Sequence, residues 1–187
     1  MDEQSAQKKL LWTVLLINFG FFLMEMTTGL ISKSMGLVAD SLDMLADAFV
    51  YGISLIAVGG TLAMKKNTAK IAGILQFILA ITGFAELIRR FFNPGLVPDF
   101  KVMIIISLLA LVGNSICLYL LQKSKSGEAH IQASKIFTAN DVLINIGVIT
   151  AGVLVLLLNS RIPDLVIGTV VFLIVFKAAV KIYRLGK

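Results

Sequence analysis

The sequence predicts an all-α membrane protein of six transmembrane helices with the N- and C-termini both cytoplasmic. Three observations lead there: an apolar composition, six apolar runs of spanning length, and an uneven placement of basic residues. Of the 187 residues, 58% are hydrophobic and 15% charged, and the mean hydropathy is +0.93. A soluble domain of this size could not cover so much apolar surface with so few charges. A spanning helix needs roughly 20 apolar residues. The runs 10–32, 35–63, 69–91, 102–122, 131–158 and 163–183 meet that need. Each is expected to be helical, because lipid offers no partner to open backbone groups.

The runs follow one another with little between them. Met1 to Lys9 form a polar stretch, expected to be a cytoplasmic tail (1–9) ahead of one six-helix domain (10–187). No C-terminal cytoplasmic domain is expected, since the sixth run extends almost to Lys187. The first run is too long and holds too many polar groups for a cleaved signal, and no small-residue cleavage site follows it. The expected loops are Ser32–Ser34, Lys65–Thr68, Asn93–Phe100, Lys123–Ala129 and Asn159–Pro163, with Pro94, Gly95 and Pro98 marking the third as irregular. Gly59-Gly60 and the scattered small residues suit close helix packing. The single cysteine, Cys117, lies inside the fourth run, cannot form an internal disulfide and is assigned to packing.

The formal charge of +6 raises nucleic acid as a partner, and its distribution argues against one. With the N-terminus inside, Lys8, Lys9, Lys65, Lys66, Lys70, Lys123, Lys125, Lys135, Lys177, Lys181, Arg184 and Lys187 lie on the cytoplasmic side. Lys33, Arg89, Arg90, Lys101 and Arg161 lie on the other. Twelve against five is the positive-inside pattern, so the basic surplus sets topology. Some attraction to anionic lipid accompanies it.

Acidic residues inside the membrane point to function, because an ionisable group there is expensive. Of 11 acidic residues, Asp2, Glu3, Asp99, Glu128 and Asp164 fall in tails, loops or helix ends. Glu25, Asp40, Asp43, Asp47, Glu86 and Asp141 remain. Asp43 and Asp47 are four apart, which places both on one helix face with Cβ atoms about 6 Å apart. Asp40 falls on the same side. Carboxylates this crowded in low dielectric cannot all carry charge unless a cation joins them, so the site suits exchange of a metal for protons. The alternative for Asp40 is a cap at the start of the second helix.

Asp141, in the fifth run, lies near mid-helix if that helix begins just after Gly127, and the second and fifth helices run oppositely. Asp47 and Asp141 are then expected to meet at mid-depth. A fifth helix starting at Ile136 would weaken that match. Asn18 and Glu25 share one face of the first helix. Asn114 and Asn145 are read as bonds between helices, worth about 1 kcal/mol each. Glu86 reads as a pair with Arg89 and Arg90 at the end of the third helix. The lone histidine, His130, is a juxtamembrane residue, eleven positions before Asp141.

The stretch from Asn18 to Tyr51, NFGFFLMEMTTGLISKSMGLVADSLDMLADAFVY, resembles the first two helices of the cation diffusion facilitator family. Its matching elements are Asn18, Glu25, Gly29, the Ser32/Ser34 loop and the Ala-Asp-Ser-Leu-Asp-x-x-x-Asp run. Glu86-x-x-Arg89 followed by Pro94, Gly113-Asn114, the run ANDVLINIGVI and Pro163-Asp164 support it along nearly the whole chain. The resemblance implies a homodimeric antiporter that exchanges zinc or a related divalent cation for protons. It implies a secondary transporter rather than an enzyme, with no cofactor, in the plasma (inner) membrane.

Family members hold their cargo with two side chains from the second helix and two from the fifth, each pair four apart. Asp43 and Asp47 match the first pair, and Asp141 matches the last position of the second. Phe137 stands where the family usually has His or Asp. Asn140, Asp40, Asn18 and water are the candidates for the missing ligand. Asn140 points about 100° away from Asp141 on an ideal helix. The usual His-rich loop is absent. An all-oxygen site pulls toward manganese, iron or cobalt, whereas zinc accepts carboxylates as well and ranks first by family. Two other readings compete: a transport-inactive regulatory subunit that has lost a ligand, and an intramembrane aspartyl protease using Asp47 and Asp141. The Gly-x-Gly-Asp run typical of such proteases is missing from this sequence, and a protease leaves Asp43 unexplained.

Overall fold

The structure is a computed structural model that describes residues 3–57, 61–93, 95–123 and 129–186. The described residues form six helices: α1 (Glu3–Ser32), α2 (Met35–Ala57), α3 (Leu62–Phe92), α4 (Phe100–Lys123), α5 (Ala129–Leu158) and α6 (Ile162–Arg184). Asp2, Gly59, Gly60, Pro94, Lys125, Glu128 and Lys187 lie outside the described residues, as do the side chains of Lys65 and His130. The bounds of α1, α2 and α3 differ from the sequence expectation, the run 35–63 giving up Leu62 and Ala63 to α3. α1 begins at Glu3, within the stretch read as a tail. α3 begins at Leu62, so Lys65-Lys66-Asn67-Thr68 form its first turns rather than a loop. Polar residues at a helix end reach water without breaking the helix, so their polarity marks the membrane edge and not a turn.

The chain is an integral, multi-pass membrane protein. Within α1, α3, α4, α5 and α6 lie five segments long and apolar enough to cross a bilayer. α2 has the length, since 23 residues at about 1.5 Å each cover the roughly 30 Å hydrocarbon layer. Its composition is what sets it apart, because Asp40, Asp43 and Asp47 all lie within it. The fold resolves this by position. α2 packs against α1, α3, α5 and α6, and between Met35 and Val50 every residue but Phe49 is buried. No large apolar side chain of α2 is among the exposed ones, whereas Leu23, Ile78, Ile105, Leu157 and Leu173 of the other helices are.

A shared apolar core surrounds α2. Leu42 and Leu45 meet Ile144 and Val148 of α5 and Val171, Phe172 and Val175 of α6. Phe84 of α3 meets Phe172 and Phe176 of α6 edge-on, with ring centroids 6.0 and 5.8 Å apart, a favoured aromatic geometry. Near the other end of the same seam, a Cβ at Gly73 would sit 2.6 Å from the Tyr183 backbone nitrogen. Only glycine lets α3 and α6 approach that closely, the common solution for packing in lipid.

The loops facing away from Glu3 and Gly186 fix where α2 starts. Ser34 caps α2 by accepting from the Leu37 N–H at 3.1 Å. Asp164, in the first turn of α6, accepts from Ser34 Oγ at 2.5 Å, Met35 N at 2.7 Å and Gly36 N at 3.0 Å. A carboxylate there meets both the unpaired N–H groups and the positive end of the helix dipole. Asp99 caps α4 in the ordinary way, through Lys101 N at 2.9 Å.

Candidate metal site

Asp47 is the thirteenth residue of α2 and Asp141 the thirteenth of α5. Both stand well inside the bundle, 2% and 1% exposed. The fifth helix begins at Ala129, so the condition for a mid-depth meeting is met. The two carboxyl groups are neighbours, close enough to hydrogen-bond once one of them holds a proton. Neither oxygen of Asp141 has a hydrogen-bond partner in the structure.

Asp43 lies one turn from Asp47 toward the start of α2. It borders a crevice of about 460 Å³ between α5 and α6, whose walls include Phe137, Asn140, Lys177 and Lys181. Lys181 Nζ rests 4.2 Å from the centre of the Phe137 ring, a cation–π distance. Phe137 therefore borders the same crevice as Asp43. Asn140 is exposed in that crevice.

The remaining candidates turn elsewhere. Asp40 accepts from Asn145 Nδ2 at 2.7 Å, and Asn145 in turn accepts from Asn114 Nδ2 at 3.0 Å. This chain joins α2, α5 and α4, as the two asparagines suggest, and carries the link on to an acidic residue. Asp40 Oδ1 stays buried without a partner. Asn18 donates to the Val14 carbonyl of its own helix at 2.9 Å, leaving its Oδ1 buried and unpartnered. Glu25, fully buried, has both oxygens unpartnered and lies within electrostatic reach of Asp40 and Asp43.

Two residues that the sequence reading passed over belong to the site. Tyr51 donates to Asp47 Oδ2 at 3.1 Å, and its hydroxyl lies 2.7 Å from Thr138 Oγ1. A phenol has one proton, so Thr138 is the donor in the second bond. Tyr51 thus ties α2 to α5 beside the two aspartates. Helical spacing is the signal that finds them: Tyr51 follows Asp47 by four, and Thr138 precedes Asp141 by three. Among the described residues, no three His, Cys, Asp or Glu side chains converge closely enough to hold a metal ion. The arrangement is a facing pair, Asp47 and Asp141, with Asp43 a turn away on the crevice.

Chemically, a buried facing pair takes up either a proton or a cation, because two bare carboxylates repel at short range in low dielectric. Residues 11–186 match the family described as the cation efflux transmembrane domain. The chain is also similar to the zinc transporter ZitB of Pectobacterium atrosepticum, at 27% identity over 94% of this chain and 59% of that protein. It thus spans about 59% of the length of that curated relative.

Proposed function

Because the chain belongs to the cation efflux family, we propose that it moves a divalent metal cation across the membrane through the Asp43, Asp47 and Asp141 site, in exchange for protons. One observation carries this reading. Asp141 is buried with both oxygens unpartnered, directly beside Asp47. Unmet acceptors at that depth are costly, and a proton or a metal ion relieves the cost. Binding one expels the other, which is the exchange an antiporter needs.

Zinc is the first cargo, by the name of the relative and by its acceptance of carboxylate ligands. The crevice beside Phe137 and Asn140 leads to Asp43 and serves as the route on the side of the chain termini. By the order of the apolar runs in the sequence, twelve of the 17 basic residues are expected toward that side, which favours cytoplasmic termini and therefore efflux. Assembly as a homodimer in the plasma membrane completes the reading.

The test is equilibrium binding of Zn²⁺, Mn²⁺, Fe²⁺, Co²⁺ and Cd²⁺ to the purified protein, repeated from about pH 8 down to about pH 5.5. Micromolar zinc binding that releases protons and weakens as pH falls is expected, since protons and metal compete for the same oxygens. Affinity that stays flat across that range would count against exchange. Absence of binding to any of the five metals would favour a transport-inactive protein with the same fold.

A further inference from the structure

Five basic residues lie at the end of the bundle away from Glu3 and Gly186: Lys33, Arg89, Arg90, Lys101 and Arg161. Four of them, all but Lys101, line a single cavity of about 290 Å³. Its volume is near the lower bound for small-ligand sites. Cations on this side run against the charge bias of the rest of the chain, and their convergence on one cavity calls for a cause.

Fold stability explains part of the cluster. Arg90 donates to the Lys33 carbonyl at 2.8 Å and to Glu86 Oε1 at 2.8 Å. Arg161 donates to the Asn93 carbonyl at 3.1 Å and, more weakly, to the Phe91 carbonyl at 3.4 Å. Arg89 makes two bonds to Glu86, at 2.7 and 2.8 Å. The acids at this end are Glu86, shared by two arginines, Asp99, which caps α4, and Asp164, whose oxygens are already turned to the start of α2. Set against the five basic residues, these three acids leave two positive charges in excess. Leu96 and Pro98 add an apolar edge to the cavity, and Phe92 and Leu96 beside it are 76% and 77% exposed.

We propose that this cavity binds a phosphate group of an anionic ligand. Arginine forks and a lysine match phosphate oxygens in geometry and charge. The neighbouring apolar side chains suit the acyl chains of a phospholipid, and inorganic phosphate offers the same headgroup chemistry without them. The cavity shares Asp164 with the start of α2 but none of the carboxylates Asp43, Asp47 and Asp141.

Native mass spectrometry of the purified protein with added phosphatidylglycerol or phosphatidylcholine tests this, beside thermal melting in inorganic phosphate. Wild type should retain phosphatidylglycerol in preference to phosphatidylcholine, whose choline cation the cavity repels. The double variant Lys33→Gln, Arg89→Gln should bind it at least about fivefold more weakly. Neither ammonium nor guanidinium in that pair bridges helices through a hydrogen bond that the structure shows, and Glu86 keeps Arg90. Should the double variant fail to fold, Lys33→Gln alone carries the comparison. Displacement of the lipid by phosphate, with a raised melting temperature, would identify a free phosphate ligand. Retention of phosphatidylglycerol without any phosphate effect would identify a lipid. Equal retention of the two lipids, or retention unchanged in the variants, without a response to phosphate would overturn the proposal.

Discussion

Asp164 and Asp141 are each 1% exposed and each sits in a helix that crosses the membrane, yet they live in opposite circumstances. Asp164 accepts three hydrogen bonds from Ser34, Met35 and Gly36. Asp141 accepts none that the structure shows and faces another acid. One carboxylate completes the fold; the other keeps its acceptors open. Burial of an acid in the membrane is thus a weak mark of function. A buried acid whose acceptors stay unmet is a strong one.

The contrast breaks most visibly at Asp47. Asp47→Ala should reduce metal uptake by reconstituted vesicles to background while the protein still inserts and folds. A ligand is lost, and a repulsive neighbour of Asp141 is removed with it. Uptake at the wild-type rate would refute the assignment. Asp164→Ala should behave in the opposite way and lower stability by about 3 kcal/mol, because it strips partners from buried N–H groups at the start of α2. Denaturation midpoints in detergent measure this. A drop for Asp141→Ala as large as that for Asp164→Ala would abolish the distinction between the two acids.

The smallest effect is expected at Phe137. Phe137→His puts an imidazole one turn before Asp141, on the wall of the crevice that reaches Asp43. Zinc prefers that nitrogen more than manganese does. The ratio of zinc to manganese dissociation constants should therefore shift toward zinc. A ratio unchanged within about twofold, roughly 0.4 kcal/mol, would move the search for the fourth ligand to Asn140, Asp40 or Asn18.

The architecture was largely legible because its signals are long and periodic. Runs of about 20 apolar residues identify spanning helices without any knowledge of packing. The Asp43–Asp47 pair needed only the helical repeat. Asp164 was legible as a residue opening α6, but its grip on α2 joins positions 130 apart, and no local pattern encodes such a distance. Tyr51 and Thr138 were missed for a different reason. Both are common in apolar helices, and only the neighbouring aspartates give their hydroxyl groups a task. The polar run at Lys65–Thr68 reads as a loop in the sequence because polarity at a membrane edge looks the same in a helix and in a turn.

That α2 has no exposed large apolar side chain also bears on how the protein is made. Transfer of an aspartate to the centre of a lone spanning helix costs about 2.5 to 3.5 kcal/mol on the insertion scale, against a gain of about 0.3 to 0.6 for each leucine or valine. With three aspartates against nine Leu, Ile, Phe or Val residues, α2 as a single segment favours water over the bilayer on this scale, by on the order of 2 kcal/mol or more. Its retention in the membrane during synthesis then depends on company: α1, joined to it through Lys33 and Ser34 and packed along it, and afterwards α3, α5 and α6. For α2, crossing the membrane is a property of the bundle rather than of the segment, so a weakened neighbour would be felt first as a failure of biogenesis and only later as a failure of transport.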